Sequence, residues 1–229
     1  MDYWTKVSAI AQVALAVLTL ILAGVAIFQE TVRGWFYRSR LALSVVCAPP
    51  DCVAVPIFNL RTGEAADAVF LRVNVSNTGN ATAINAEVYA RELRQRRADS
   101  TWERVPTFPP MNLKWANLGG TIYFPRIAPG MGKACDVAHI TSPGERGKIY
   151  ESVPAAVDQQ RTALVFELQA APNHLGHIVG PGTYRLDLLV AAENAAPRAY
   201  TLEINLTGEW FKDETRMLRA GVGIRIVTP

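Results

Sequence analysis

VFLRVNVSNTGNATAINAEV, residues 69–88, is the stretch that decides the fold class. Val69, Leu71, Val73 and Val75 alternate with Phe70, Arg72 and Asn74. That period of two sends successive side chains to opposite faces of a strand, so one row is buried and the other is not. The inner row is mostly valine, a β-branched residue that fits an extended backbone. Asn77-Thr78-Gly79-Asn80 then supplies the chemistry of a tight reversal, and Ile84, Ala86 and Val88 resume the alternation.

Outward from this stretch the pattern repeats. It recurs in Leu164/Phe166/Leu168, Tyr184/Leu186/Leu188/Val190, Tyr200/Leu202/Ile204/Leu206 and Val222/Ile224/Ile226, with a first strand at residues 41–46. Weaker candidates lie at 102–105, 121–124 and 134–140. Pro129-Gly130, Pro143-Gly144 and Pro181-Gly182 punctuate the strands, and 193–197 reads as the loop of a late hairpin. About seven to nine strands at such spacings predict an antiparallel β-sandwich over residues 41–229. Residues 106–120 and 143–160 read as irregular insertions, the second with a short helix. Asp213 is placed to start another short helix that packs its apolar side on the end of the sandwich.

Before the strands, residues 7–28 read VSAIAQVALAVLTLILAGVAIF, without a charge. As a helix they extend about 33 Å, enough for a hydrocarbon core of about 30 Å. The expected division is therefore a flank at 1–6, a transmembrane helix at 7–28, a juxtamembrane segment at 29–40 and the sandwich. Trp4 before the helix, and Arg33, Trp35, Tyr37, Arg38 and Arg40 after it, are the aromatic and basic residues expected at the headgroup level. A cleaved signal peptide is the rival, because Gly24-Val25-Ala26 offers small-x-small spacing; the length of the apolar run and the weakly basic N-terminus speak against it. One lysine before the helix and three arginines after it predict the N-terminus outside and the sandwich in the cytoplasm. Ser8, Gln12, Ala16, Thr19, Ala23 and Ala26 recur every three or four residues and form one stripe of small and polar side chains. Such a stripe lets helices approach closely and is a candidate seam for a homo-oligomer; the alternative is that small residues are simply common in such helices.

FLRVNVSNTGNATAINAEV and PGTYRLDLLV, residues 70–88 and 181–190, resemble parts of bacterial immunoglobulin-like modules of the CARDB and DUF11 kind. In those modules the strands flank an Asn-Thr-Gly turn, and a late strand opens on Pro-Gly-x-Tyr. The resemblance implies an immunoglobulin-like sandwich acting in binding or as a spacer. Such modules often work outside the cell, in tension with the charge-based orientation.

The chain carries a formal charge of +3, and the part after residue 40 keeps 19 basic and 18 acidic residues. That balance excludes a global field for nucleic acid. Arg91, Arg94, Arg96 and Arg97 form the densest basic cluster, expected at a strand end leading into a hairpin towards Trp102; without interleaved aromatics it does not point to nucleic acid. Cys47, Cys52 and Cys135 are too few for a disulfide framework. Cys47 and Cys52 flank Ala-Pro-Pro-Asp and can close a small loop in an oxidising compartment, or remain thiols. Cys135-x3-His139 and His174-x2-His177 contain metal-binding residue types, but not at the spacing of a known zinc site. Cys135 and His139, four apart in a strand, are expected on one face, and all three histidines read as ordinary surface residues. No nucleophile elbow, phosphate-cradling loop or catalytic carboxylate pair stands out. The expectation is a non-enzyme, with no cofactor and no metal: a bilayer-anchored module that binds another protein. The alternative is a membrane effector, in which a cytoplasmic sandwich senses a signal and clustered helices act on the bilayer.

Overall fold

The computed structural model describes residues 3–119 and 121–227, and the side chains of 30–36 fall outside the described set. The chain divides into two compact units, Met1–Arg38 and Ser39–Pro229. The first contains one helix, α1 (Tyr3–Phe36), longer than the 22-residue apolar run because no proline interrupts the polar segment that follows it. Within α1, Tyr3–Gln29 is long and apolar enough to cross a membrane. Its large apolar side chains from Val7 to Phe28 are all exposed around the helix circumference. Part of the expected juxtamembrane segment is thus helical.

The second unit is an antiparallel sandwich. One sheet runs in the order β1 (Leu41–Ser44), β2 (Ala68–Asn77), β5 (Gly132–Thr141), β6 (Leu164–Phe166) and β7 (Ile178–Val179). Short strands Cys52–Ala54 and Lys114–Trp115 add to β2 and β5. The other sheet runs in the order β4 (Phe124–Ile127), β3 (Ala83–Arg96), β8 (Gly182–Ala192), β9 (Ala195–Leu206) and β10 (Val222–Val227). Trp102–Arg104 and Met111–Asn112 both pair with β3. Leu71, Val73 and Phe166 from the first sheet meet Val88, Leu186, Leu188 and Ile204 from the second in one core.

The 69–88 stretch contributes to both sheets. β2 keeps the expected alternation, with Val69, Leu71, Val73 and Val75 buried. The Asn77–Thr82 reversal, however, crosses from one sheet to the other, so β2 and β3 are not hairpin partners. Asn77 organises the crossing from a fully buried position. Its Nδ2 donates to the carbonyls of Ala81 at 2.7 Å and Ile127 at 2.9 Å. Its Oδ1 accepts from the N–H groups of Gly79 at 3.0 Å and Arg40 at 3.2 Å.

β3 departs from strict alternation. Asn85 adopts φ 50°, so Ala83 and Ala86 are both buried and Ile84 is not, contrary to the sequence pattern. A second break at Arg91 moves burial from Ala90 to Leu93. The late hairpin is tighter than the 193–197 loop predicted, because Ala195, Ala196 and Pro197 belong to β9. The weak strand expected at 121–124 lies instead at β4. Asp213 caps a short helix, Glu214–Arg216, by accepting from the Arg216 N–H at 2.7 Å, and Met217 just beyond is buried in the core. The 143–160 segment carries a 3-10 helix, Pro143–Ile149.

Candidate functional site

β5, expected only as a weak strand, is a ten-residue central strand. Its register against β2 slips between Asp136 and Ala138, leaving Val137 as the extra residue of a bulge. Before the bulge, Cys135 lies opposite Val73 on the core face; after it, Ala138 and Ile140 take that face and His139 lies opposite Phe70 on the outer one. Cys135 and His139 therefore do not share a face. The inserted residue reverses the parity that a regular strand would keep.

His139 is not a surface residue. The 143–151 segment covers the outer face of the first sheet and leaves His139 with 8% exposure. Its Nε2 lies 2.8 Å from Glu151 Oε2, and its Nδ1 lies 2.6 Å from Glu167 Oε1. Two ionised carboxylates accept hydrogen bonds and cannot donate, so both ring nitrogens must carry protons and the ring is an imidazolium. Burial opposes that charge, but the hydrogen bonds and charges of Glu151 and Glu167 outweigh it and raise the His139 pKa to about 9. Burial likewise opposes the Glu167 carboxylate, yet His139 and Lys114 bring its pKa down to about 2. Glu151 is lowered for the same reason, burial being outweighed by His139, Thr141 and Arg146.

Further contacts extend the network. Lys114 Nζ stands 2.8 Å from Glu167 Oε2, and the Thr141 hydroxyl donates to Glu151 Oε2 at 2.9 Å. Arg146, itself buried, donates to the carbonyl of Arg161 at 2.9 Å and sets its Nε 3.4 Å from Glu151 Oε1. On the same face Arg72 pairs with Asp136 at 2.7 Å while lying over the Phe70 ring. The network thus fastens the covering segment to the sheet. It offers no metal a lone pair at His139, and no group of three metal-ligating side chains occurs among the described residues.

Beside this network a groove of about 780 Å³ opens over the sheet. Its polar wall contains His139, Glu151, Glu167 and His177. His177 is 5% exposed, with its pKa lowered by burial, and its Nδ1 has no hydrogen-bond partner among the described residues. The rim is apolar: Phe58, Leu60 and Tyr150 are 61%, 97% and 71% exposed. Two local structures present that rim. The hairpin of Ile57–Phe58 with Ala65–Ala66 is tied to the covering segment by Asn59 Nδ2, which donates to the Lys148 carbonyl at 2.9 Å. Tyr150 closes the 3-10 helix in the left-handed conformation.

The residues singled out from sequence lie elsewhere. Ser8, Gln12, Ala16, Thr19, Ala23 and Ala26 are all exposed on α1 and, at 100° per residue, fall within an arc of about 80°. The Thr19 hydroxyl already donates to the Leu15 carbonyl at 2.8 Å within the helix. Trp4, Tyr37, Arg38 and Arg40 are exposed, whereas the side chains of Arg33 and Trp35 lie outside the described residues. The Arg40 backbone belongs to the sandwich, its carbonyl accepting from the Thr78 N–H at 2.8 Å. In the basic cluster Arg94 pairs with Asp187 at 2.5 Å and Arg97 pairs with Glu103. His174, unlike the other two histidines, is exposed, and it accepts from the Gly176 N–H through Nδ1 at 3.0 Å.

No family model, curated protein or solved structure matches this chain.

Proposed function

We propose that this chain is a single-pass membrane protein whose immunoglobulin-like sandwich binds another protein, the outer groove of the first sheet being the docking surface. The observation that carries it is the set of Phe58, Leu60 and Tyr150, three large apolar side chains held out to solvent at a mostly apolar groove that His139, Glu151, Glu167 and His177 border on one side. Exposed apolar clusters rimmed by polar groups are typical of interaction sites, and aromatic residues dominate their energetics. The occupant that fits is an apolar side-chain cluster on a protein segment with a polar group to meet His177 Nδ1. His139, held as an imidazolium by two carboxylates, has no lone pair with which to act as a base, which supports binding over catalysis.

α1 is the tether in this proposal, with the sandwich on the cytoplasmic side in keeping with the arginines that follow the apolar run. The small and polar stripe makes it a surface for pairing with a second copy. The immunoglobulin-like character rests on the resemblance of residues 70–88 and 181–190 and on the two-sheet antiparallel build.

The test is a photo-crosslinking amino acid at Leu60 of the full chain in its native membrane. A discrete adduct is expected, abolished by Tyr150→Glu and indifferent to Arg97→Glu on the other sheet. Crosslinking that ignores Tyr150→Glu, or that yields only lipid, would remove the groove from the proposal.

A further inference from the structure

The three free cysteines differ in their surroundings. Cys135 is wholly buried, and its thiol donates to the Lys114 carbonyl at 3.3 Å. Cys47 and Cys52 end the loop CAPPDC between β1 and the short strand Cys52–Ala54. That loop is held shut by its own backbone: the Cys52 N–H donates to the Ala48 carbonyl at 3.0 Å, and the Asp51 carboxylate accepts from the Val46 N–H at 2.8 Å. The Cys47 and Cys52 side chains at the two ends of this loop interact, Cys52 lowering the Cys47 pKa and Cys47 raising that of Cys52, and the Cys47 sulfur also lies 3.6 Å and 3.8 Å from the Leu218 and Val222 carbonyls, to which its thiol can donate. Cys52 has no exposed surface, whereas half-buried Cys47 opens on a pocket of about 290 Å³ that is also lined by Arg219 and Arg225. One sulfur of the pair can be reached from solvent, and the other is buried.

We infer that Cys47 and Cys52 are a reversible redox pair, converted to an intramolecular disulfide by exchange with a low-molecular-weight disulfide of the glutathione class. Cys47 is the attacking sulfur. It is the sulfur open to solvent, and its interaction with Cys52, against burial, lowers its pKa, so a larger share of it is thiolate at neutral pH than of an ordinary cysteine. That thiolate attacks one sulfur of the small disulfide, forming a mixed disulfide on Cys47 and expelling a small thiolate, which takes a proton from water. Cys52 then gives up its proton to water and attacks the Cys47 sulfur, expelling the second small thiolate, which is protonated in turn. Two protein thiols are oxidised and one disulfide is reduced to two thiols. The first step also removes the Cys47 anion, whose hydrogen bond and charge hold the Cys52 pKa high, so Cys52 becomes easier to ionise when it is needed. Arg219 lines the pocket beside Cys47 and favours approach of an oxidant that carries carboxylates, whereas Arg225 there is already paired with Glu203.

The experiment uses the full chain in detergent, incubated with excess oxidised glutathione, acid-quenched, denatured, alkylated and weighed by mass spectrometry. The expected product has lost two hydrogens, is alkylated only at Cys135, yields a linked Cys47/Cys52 peptide on digestion and reverts with reduced glutathione. Cys52→Ala is expected to stop at one glutathione adduct on Cys47, and Cys47→Ala to leave Cys52 unmodified. Three alkylatable cysteines throughout, a bond to Cys135 or between two chains, or an unresolved adduct on the unaltered protein would each overturn the inference.

Discussion

Asn77 and His139 show how single side chains act when every polar atom they bear is used. Asn77 gives both amide hydrogens to carbonyls and takes two N–H groups, at the crossing where the chain passes between sheets. Asn77→Ala leaves four buried or half-buried backbone groups without partners, and a loss on the order of 3 kcal/mol or more is expected in denaturant unfolding. A change within about 0.5 kcal/mol, the size of an ordinary surface substitution, would contradict it. His139 makes stability depend on pH. Its folded pKa of about 9 lies above the ordinary 6.5, so its stabilisation is complete below 6.5 and disappears as pH rises through 9. Glu167, lowered from 4.5 to about 2, contributes above 4.5 and ceases to as pH falls through 2. These are two sides of one set of ion pairs, so the contribution counts once. The melting temperature of the parent relative to His139→Gln, a difference that cancels the separate loss below 6.5 from His177 with its lowered pKa, should stand level from 4.5 to 6.5 and decline towards 9. An unaltered protein with no alkaline decline would sink this account. In sequence, Asn77 was legible as a turn residue and Glu151 and Glu167 as charged residues among many. Nothing local marks their convergence on His139, from 12 and 28 positions away.

At the scale of elements, regular alternation was readable and its interruptions were not. β2 follows its pattern throughout, whereas β5 looked weak because Val137 is inserted into it. A bulge reverses the inward and outward rows, so the pattern before it and the pattern after it cancel when read as one strand. Deleting Val137 alone should give a regular register with His139 still opposite Phe70, whereas deleting Val137 and Ala138 together should bring His139 and Thr141 onto the core face. The double deletion is expected to lose cooperative thermal unfolding and near-ultraviolet circular dichroism, and the single deletion to keep both; retention of both by the double deletion would mean that residue parity along β5 does not set the face. Asn85 and Arg91 interrupt β3 in the same way. α1 shows the opposite case, since its apolar run was plain from composition, and only the helical extension to Phe36 went beyond it. The stripe on α1 yields a prediction about association: Gln12→Leu with Thr19→Leu should weaken self-association in a membrane two-hybrid assay, with Gln12 carrying most of the effect because Thr19 is already satisfied inside the helix. If both single variants match the parent, the stripe is not a seam.

For the whole molecule, the two compact units predict that residues 39–229, expressed without α1, fold as a soluble sandwich with the chemical shift dispersion of a rigid core. An aggregated or unfolded fragment would show that the helix is needed to complete that core. A reporter fused after residue 229 should respond on the cytoplasmic side, and an external response would invert the proposed orientation. The amino-acid sequence by itself determined that the chain is mainly β behind one apolar helix, because both properties are carried by neighbouring residues: an unbroken apolar run in one case, alternation in the other. It determined the near-neutral charge of the sandwich as well, since charge is a sum over residues. Only the tertiary structure decided that β2 and β3 lie in different sheets, that His139 is a buried cation between Glu151 and Glu167, and that Phe58, Leu60 and Tyr150 rim one groove. Each of these depends on distant segments meeting. The bulge at Val137 chooses the face, the 143–151 segment covers it, and neither event leaves a pattern that neighbouring residues can report.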